Sequence, residues 1–362
     1  MKFKSLLWAV MAIATVAFTF SSCSNDDDGN SGNYATYQKA VDTQVRTQKK
    51  HDKAILLVAF GSTWNNAFLA FDETRAIYEK EFPDCDIYVS FSSAICINRA
   101  AAGQNTDEEG NIARRNYYAP NFWLHALAEA KYKDITVQSL QVIPGEEFAR
   151  VVNYIKDFAN NSLGDLDDRY LAYLNEGHIR LGAPLLSTED EVKNVAQLLN
   201  KNYADKAAEG AVLFMGHGNP DSYDTYKANI RYTQLETELQ KFNKNYFVGT
   251  VDMKDNFKQD VYARMKDAGI TSGKISLHCL MSICGDHGHN DMAGRGNEYW
   301  DEDEPESEDN SWLEYFLHQN YDEVTATLLG MLEVEDIRNV WIQHTKDAEI
   351  LEDFYHSMHP EE

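Results

Sequence analysis

An α/β fold of two similar Rossmann-like or flavodoxin-like lobes, with mainly parallel sheets and a central cleft, is predicted by three features of the 362-residue chain. Short apolar runs rich in branched side chains alternate with longer helical stretches, the pattern of parallel strands joined by crossover helices. Several of these runs stop at glycine turns, and open α/β sheets collect ligands at the carboxyl ends of their strands. The halves also echo each other: residues 54–62 align with 211–219 and 135–147 with 275–287, which sets Gly145 on Gly285 and Glu147 on His287. The join falls near Leu186, so 51–187 reads as an N-terminal lobe and 188–362 as a C-terminal lobe carrying the site. A cleft between such lobes suits a ligand.

Taken in order, residues 1–22 read as a signal peptide: Lys2 and Lys4 give a positive start, and Leu6 to Phe20 an apolar core. The core is too short for a membrane span and is followed by polar residues. Ser21-Ser22-Cys23 resembles a bacterial lipobox, with Phe20 where Leu is usual, so Cys23 reads as the lipidated first residue of an exported protein. Such a protein is anchored to the membrane and faces the periplasm or the cell surface. Residues 24–33 are a tether too polar to fold, and Tyr34 to Lys50 a lead-in helix, together the segment 23–50.

The first buried strand is Lys53 to Thr63 with its glycine turn, followed by a helix over Asn65 to Phe82 and a strand over Asp86 to Ser92. Gln104 to Pro120 reads as an inserted polar loop, and Phe122 to Lys131 as a helix. Ile135 to Gly145 is a strand, Glu146 to Phe158 a helix, and Ile179 to Leu186 a strand. Ser187-Thr188-Glu189-Asp190 opens a helix running to about Tyr203 with the character of a capping box. Strands over Ala211 to Met215, Tyr246 to Val251 and from Ile275 onward are separated by helices over Tyr223 to Phe242 and Asn256 to Ala268. The acidic run Asp301 to Asp309 is a solvated loop, and helices over Trp312 to Gln319 and Val334 to Tyr355 close the chain.

The formal net charge of −25 argues against nucleic acid as a partner, because phosphate binding needs cationic patches, and favours attraction of cations. Whether copies of the chain associate is left open. Cys85, Cys96, Cys279 and Cys284 have no Cys-x-x-Cys spacing and read as small apolar residues, with a disulfide permitted by export.

Three strand ends in the second half carry ligand-type side chains: His217 between glycines, Asp252, and His287 in Gly285-Asp286-His287. Read singly, each is as well explained as a loop histidine or a helix-capping aspartate. Together, two imidazoles and a carboxylate suit one divalent cobalt, nickel, iron or zinc ion with positions left open.

At this point the residues resemble a family. Phe214 to Gly218, Val248 to Asp252, and Gly285-Asp286-His287 with Asn290-Asp291-Met292 are similar to the sirohydrochlorin cobaltochelatases of the CbiK type, class II chelatases. So are Gln138 to Leu140, Gly145 to Phe148 and Gly182 to Ser187, and the likeness runs from about Lys53 to Met292. The resemblance implies a metal chelatase that inserts Co²⁺, or Fe²⁺ or Ni²⁺, into a metal-free tetrapyrrole such as sirohydrochlorin, as in cobalamin biosynthesis. It makes His217, Asp252 and His287 the metal ligands and gives His217 a second role as proton acceptor. The family usually has Glu where this chain has Asp252, one methylene shorter. Glu146 and Glu147 are candidates to relay protons from the other lobe, and Arg99, Arg150 and Arg295 to meet substrate carboxylates. The alternatives are a cell-envelope binding protein for haem, a corrinoid or a metal, and an inactive relative.

Overall fold

The computed structural model describes residues 31–103, 114–294, 303–304, 307 and 310–350. The expected signal peptide, Cys23, the expected tether to Asn30, residues 104–113, Arg295, most of the acidic run and the end of the last expected helix lie outside the described residues. Helix α1 spans Ser31–Gln48, and residues from Val41 onward belong to one compact unit in which Val41 and Val45 are buried.

Two sheets form the frame of that unit. The first contains β1 (Lys53–Ala59), β2 (Cys85–Phe91), β3 (Asp134–Ser139), β4 (Ile179–Gly182) and a short closing strand at Glu349–Ile350. The second contains β5 (Gly210–Gly216), β6 (Tyr246–Thr250), β7 (Lys274–Cys279) and β8 (Glu323–Thr327). Spatial order is β2-β1-β3-β4 in one and β6-β5-β7-β8 in the other, the same winding repeated, with all of these pairs parallel. The register sets Leu56 beside Tyr88 and Val137, and Phe214 beside Val248 and His278. β1 and β5 are buried along nearly their whole length, as expected of central strands covered on both faces.

The crossovers are α2 (Asn65–Glu81), α3 (Ala94–Ala102), α4 (Pro120–Glu129), α5 (Glu146–Ala159) and α6 (Asp168–Asn175) around the first sheet. α7 (Glu189–Glu209), α8 (Ile230–Gln240), α9 (Lys258–Asp267) and α10 (Trp312–Leu317) follow, and α11 (Glu335–Lys346) comes last. α3, α6 and β8 were not expected. α3 is nine residues long, opened by the Ser93 hydroxyl accepting from the Cys96 amide and closed by Gly103 in a left-handed conformation. β8 buries only Val324, so it lacks the apolar run that marks its neighbours. The helix expected from Tyr223 begins instead at Ile230.

The chain's end corrects the second lobe's boundary at 362. The strand at Glu349–Ile350 pairs antiparallel with β4 as β9, and α11 lies on the first sheet. The reason is burial: Ile337, Val340 and Trp341 form an apolar stripe, Trp341 donates to the Gln141 carbonyl (3.3 Å) and Thr345 to Gln138 Oε1 (2.8 Å). One core cluster runs from Ile55 and Leu57 through Trp341 to Val212 and Phe214, so the lobes share a hydrophobic interior. A second cluster, with Leu277, Cys279, Cys284, Met292 and Phe316, fills the far side of the second sheet.

Candidate active site

β1, β3, β5 and β7, the central strands of the two sheets, all end at one cleft. Its empty volume is ≈ 960 Å³, open mouth included, and its walls come from Phe60–Thr63, Gln141–Ile143, Gly145–Glu147, His217–Asn219 and the stretch after β7 as far as His287. This is the position that strand reversal creates in open α/β sheets. Val142, Ile143, Leu280, Met281 and Ile283 make much of it apolar.

His217 is the first residue past β5. Gly218 follows at φ +76°, and a Cβ there would stand 2.8 Å from that of Met253, so the turn requires glycine. The end of β6 is tied to the same turn, since the Asp252 amide donates to the His217 carbonyl (2.9 Å). That bond sets Asp252 Oδ2 3.6 Å from His217 Nδ1. Nδ1 also lies 2.7 Å from the Gly218 carbonyl oxygen. A carbonyl only accepts, so Nδ1 carries the proton and Nε2 keeps its lone pair.

His287 reaches the cleft from a π-helical turn, His287–Met292, in place of a regular helix. The turn brings Asp291 under the ring, with Nδ1 2.5 Å from Oδ2. The carboxylate again takes the Nδ1 proton and leaves Nε2 unprotonated in the neutral ring, a carboxylate–histidine arrangement common behind metal ligands. Burial pulls the His287 pKa down, but the Asp291 hydrogen bond and the charges of Asp291, Asp252 and Asp286 outweigh it, and the net shift is upward. The His217 and His287 rings meet edge to face, centroids 4.7 Å apart.

Glu147 approaches from the first turn of α5 in the other lobe. Desolvation raises its carboxyl pKa, against the opposing pull of His217, Arg150 and His287. Glu146 is committed elsewhere, because its carboxylate accepts from the backbone amide (3.1 Å) and the hydroxyl of Thr225. Arg99 and Arg150 are exposed and do not line the cleft, and no lysine or arginine is among its described lining residues. The described cysteines are free; Cys279 and Cys284 are buried with sulfurs 3.3 Å apart, and Cys96 lines the cleft.

The structure therefore brings His217 to His287 and Asp252 to His217, with Glu147 facing them. Among the described residues, no group of three or more His, Cys, Asp and Glu side chains is arranged to hold a metal ion. The reason lies in the geometry above: Asp252 sits on the Nδ1 side of His217, away from the nitrogen left for a cation. Asp291 was quoted from sequence only as part of the family motif and given no role, although its i,i+4 spacing from His287 is a readable signal. Trp64 and Asn66, which touch the His287 segment, had none.

The sequence model of the CbiK cobalt chelatase family matches residues 53–350. The chain belongs to this family. It is 26% identical over 301 residues to the sirohydrochlorin cobaltochelatase CbiKC of Nitratidesulfovibrio vulgaris, covering 82% of this chain and 90% of that one. To the sirohydrochlorin cobaltochelatase of Salmonella typhimurium it is 26% identical over 252 residues, 68% of this chain and 83% of that one. Among solved structures, SirB from Bacillus subtilis with Fe³⁺ superposes with a TM-score of 0.50 at 14% identity, over 82% of this chain and 94% of that one, a likeness of fold. The family match spans His217, Asp252, His287 and Glu147 alike.

Proposed function

We propose that this chain inserts a divalent metal, Co²⁺ first among candidates with Fe²⁺ and Ni²⁺ next, into sirohydrochlorin or a closely related metal-free tetrapyrrole. The observation that carries this reading is the facing pair His217 and His287, each with Nδ1 committed to an acceptor, in the lining of the cleft of a chain that belongs to the cobalt chelatase family. The metal is a substrate. It is taken up on the two Nε2 atoms, with Asp252 joining after a side-chain rotation, in a coordination weak and open enough to release it.

Insertion exchanges two pyrrole N–H protons for one M²⁺, so the site must accept protons as it surrenders the cation. His217 takes one as general base once the metal leaves it. Glu147, poorly solvated and facing the histidines, is suited to take the other: its raised pKa makes it a stronger base than an ordinary carboxylate. The apolar walls hold the macrocycle by its faces, and its carboxylates point to the open mouth, which agrees with a described lining free of cationic side chains. Export and anchoring through Cys23 belong to the same proposal; the n-region, the apolar core and the lipobox-like Ser21-Ser22-Cys23 support them.

The test is the absorbance change of sirohydrochlorin with Co²⁺ and the protein from Tyr34 onward, beside His217→Ala. Turnover in the first and its loss in the second is the expected result. A stable shifted spectrum without turnover would make the protein a tetrapyrrole carrier built on a chelatase fold.

A further inference from the structure

The two histidines stand on different footings. His217 is fixed by its own sheet, through the β5 turn and the end of β6. The segment that carries His287 leans on the first lobe. Asn66 Nδ2 donates to the Cys284 carbonyl (3.2 Å), which leaves Asn66 Oδ1 to accept from His289 Nε2 (3.2 Å). Trp64, the residue that opens α2, lays its indole flat on His289, with ring centroids 3.7 Å apart and planes 1° apart. Its Nε1–H donates to Asp286 Oδ1. Backbone packing is close as well: a Cβ on Gly285 would stand 3.1 Å from Ser62 Oγ.

We propose that Trp64 is a positioning residue for the metal-handling histidine. It grips Asp286 and His289, on either side of His287, and so sets the place at which the His287 imidazole faces His217. One oxygen of the Asp286 carboxylate is thereby committed to the first lobe. The placement of His287 thus depends on contacts that the first lobe makes with the segment carrying it. Trp64 is absent from the cleft lining, so its effect passes through its neighbours. Outer partners of this kind typically alter metal affinity or activity by about 10–100-fold when removed.

The kinetic part of this inference rests on the chelatase reading; the structural part does not. Trp64→Phe keeps a ring to stack on His289 and loses the N–H, while Trp64→Ala loses both. In the metal-free protein, histidine-selective ¹⁵N NMR reads the ring of His287, assigned by its loss in His287→Gln. Trp64→Phe is expected to shift that signal and leave His217 in place. With sirohydrochlorin and Co²⁺, kcat is expected to fall about tenfold while KM stays within about twofold, a split that general loosening of the fold would not produce. Cooperative thermal melting of Trp64→Phe establishes that it folds. An unchanged His287 signal would overturn the proposal. A wild-type protein without turnover would sink the chelatase reading instead, and the NMR comparison would still decide the role of Trp64.

Discussion

After β3 the chain turns at Gly145 into the regular helix α5, and Glu147 meets the cleft from its first turn. After β7 it turns at Gly285, the position aligned with Gly145, and enters a π-helical turn from which His287 meets the same cleft. The strands, the winding and the glycine are shared; the side chain two residues past the glycine and the helix type differ. A helix amino end adds a partial positive charge beside Glu147, yet desolvation still raises the carboxyl pKa. In the other lobe the π-turn places Asp291 against His287 Nδ1, which fixes the orientation of the imidazole. Position 148 is a buried Phe that anchors α5 to the core, and its counterpart is Gly288, packed on the Cys279 and Cys284 sulfurs. A repeated fold thus brings a carboxyl group to the cleft from one copy and a histidine from the other, the pair to which the proposed function gives the acid–base and metal-binding roles.

The largest way to break this division is to remove a proposed ligand: His217→Ala is expected to lower turnover by about 10²-fold or more, read as the initial rate of Co²⁺ insertion. Glu147→Gln tests the base. Turnover should fall by about 10²-fold. Its folded pKa is raised, so the ionised carboxylate costs stability as pH rises from the ordinary carboxylate value through the raised one. The glutamine removes that cost, and the Tm at neutral pH should rise; a lower Tm would show that the carboxylate is a structural partner.

Gly288→Ala probes the π-turn. The added Cβ would stand 2.2 Å from Cys284 Sγ and 2.8 Å from Cys279 Sγ, so a loss of about 1–3 kcal/mol in urea unfolding is expected. Asp291→Asn is the subtlest change. It removes the largest upward influences on the His287 pKa. A protonated imidazole cannot bind metal, so on the proposed role of His287 activity is expected to rise with pH as the ring loses its proton. In Asp291→Asn that acidic limb should move to lower pH, with metal affinity weaker by about tenfold. An unmoved limb would assign it to another group.

His287 was legible because it follows a strand and a glycine, and Glu147 because its segment aligns with that one. The pair Glu146 and Thr225 was not, since the residues are 79 apart in sequence and nothing local marks the contact. The same holds for Trp64, which is 222 residues from Asp286.

By itself the sequence determined the alternation of strands and helices, the likeness of the two lobes, and the ligand-type residues at the strand ends. These depend on periodicity and on glycine, which act over a few neighbouring residues. Only the tertiary structure decided that α11 and β9 return to the first sheet, that Asp252 lies on the Nδ1 side of His217, and that the first lobe holds the His287 segment. Those outcomes follow from which apolar faces are left to bury and which polar atoms are left to pair once the lobes meet, and such long-range contacts leave no period in the chain.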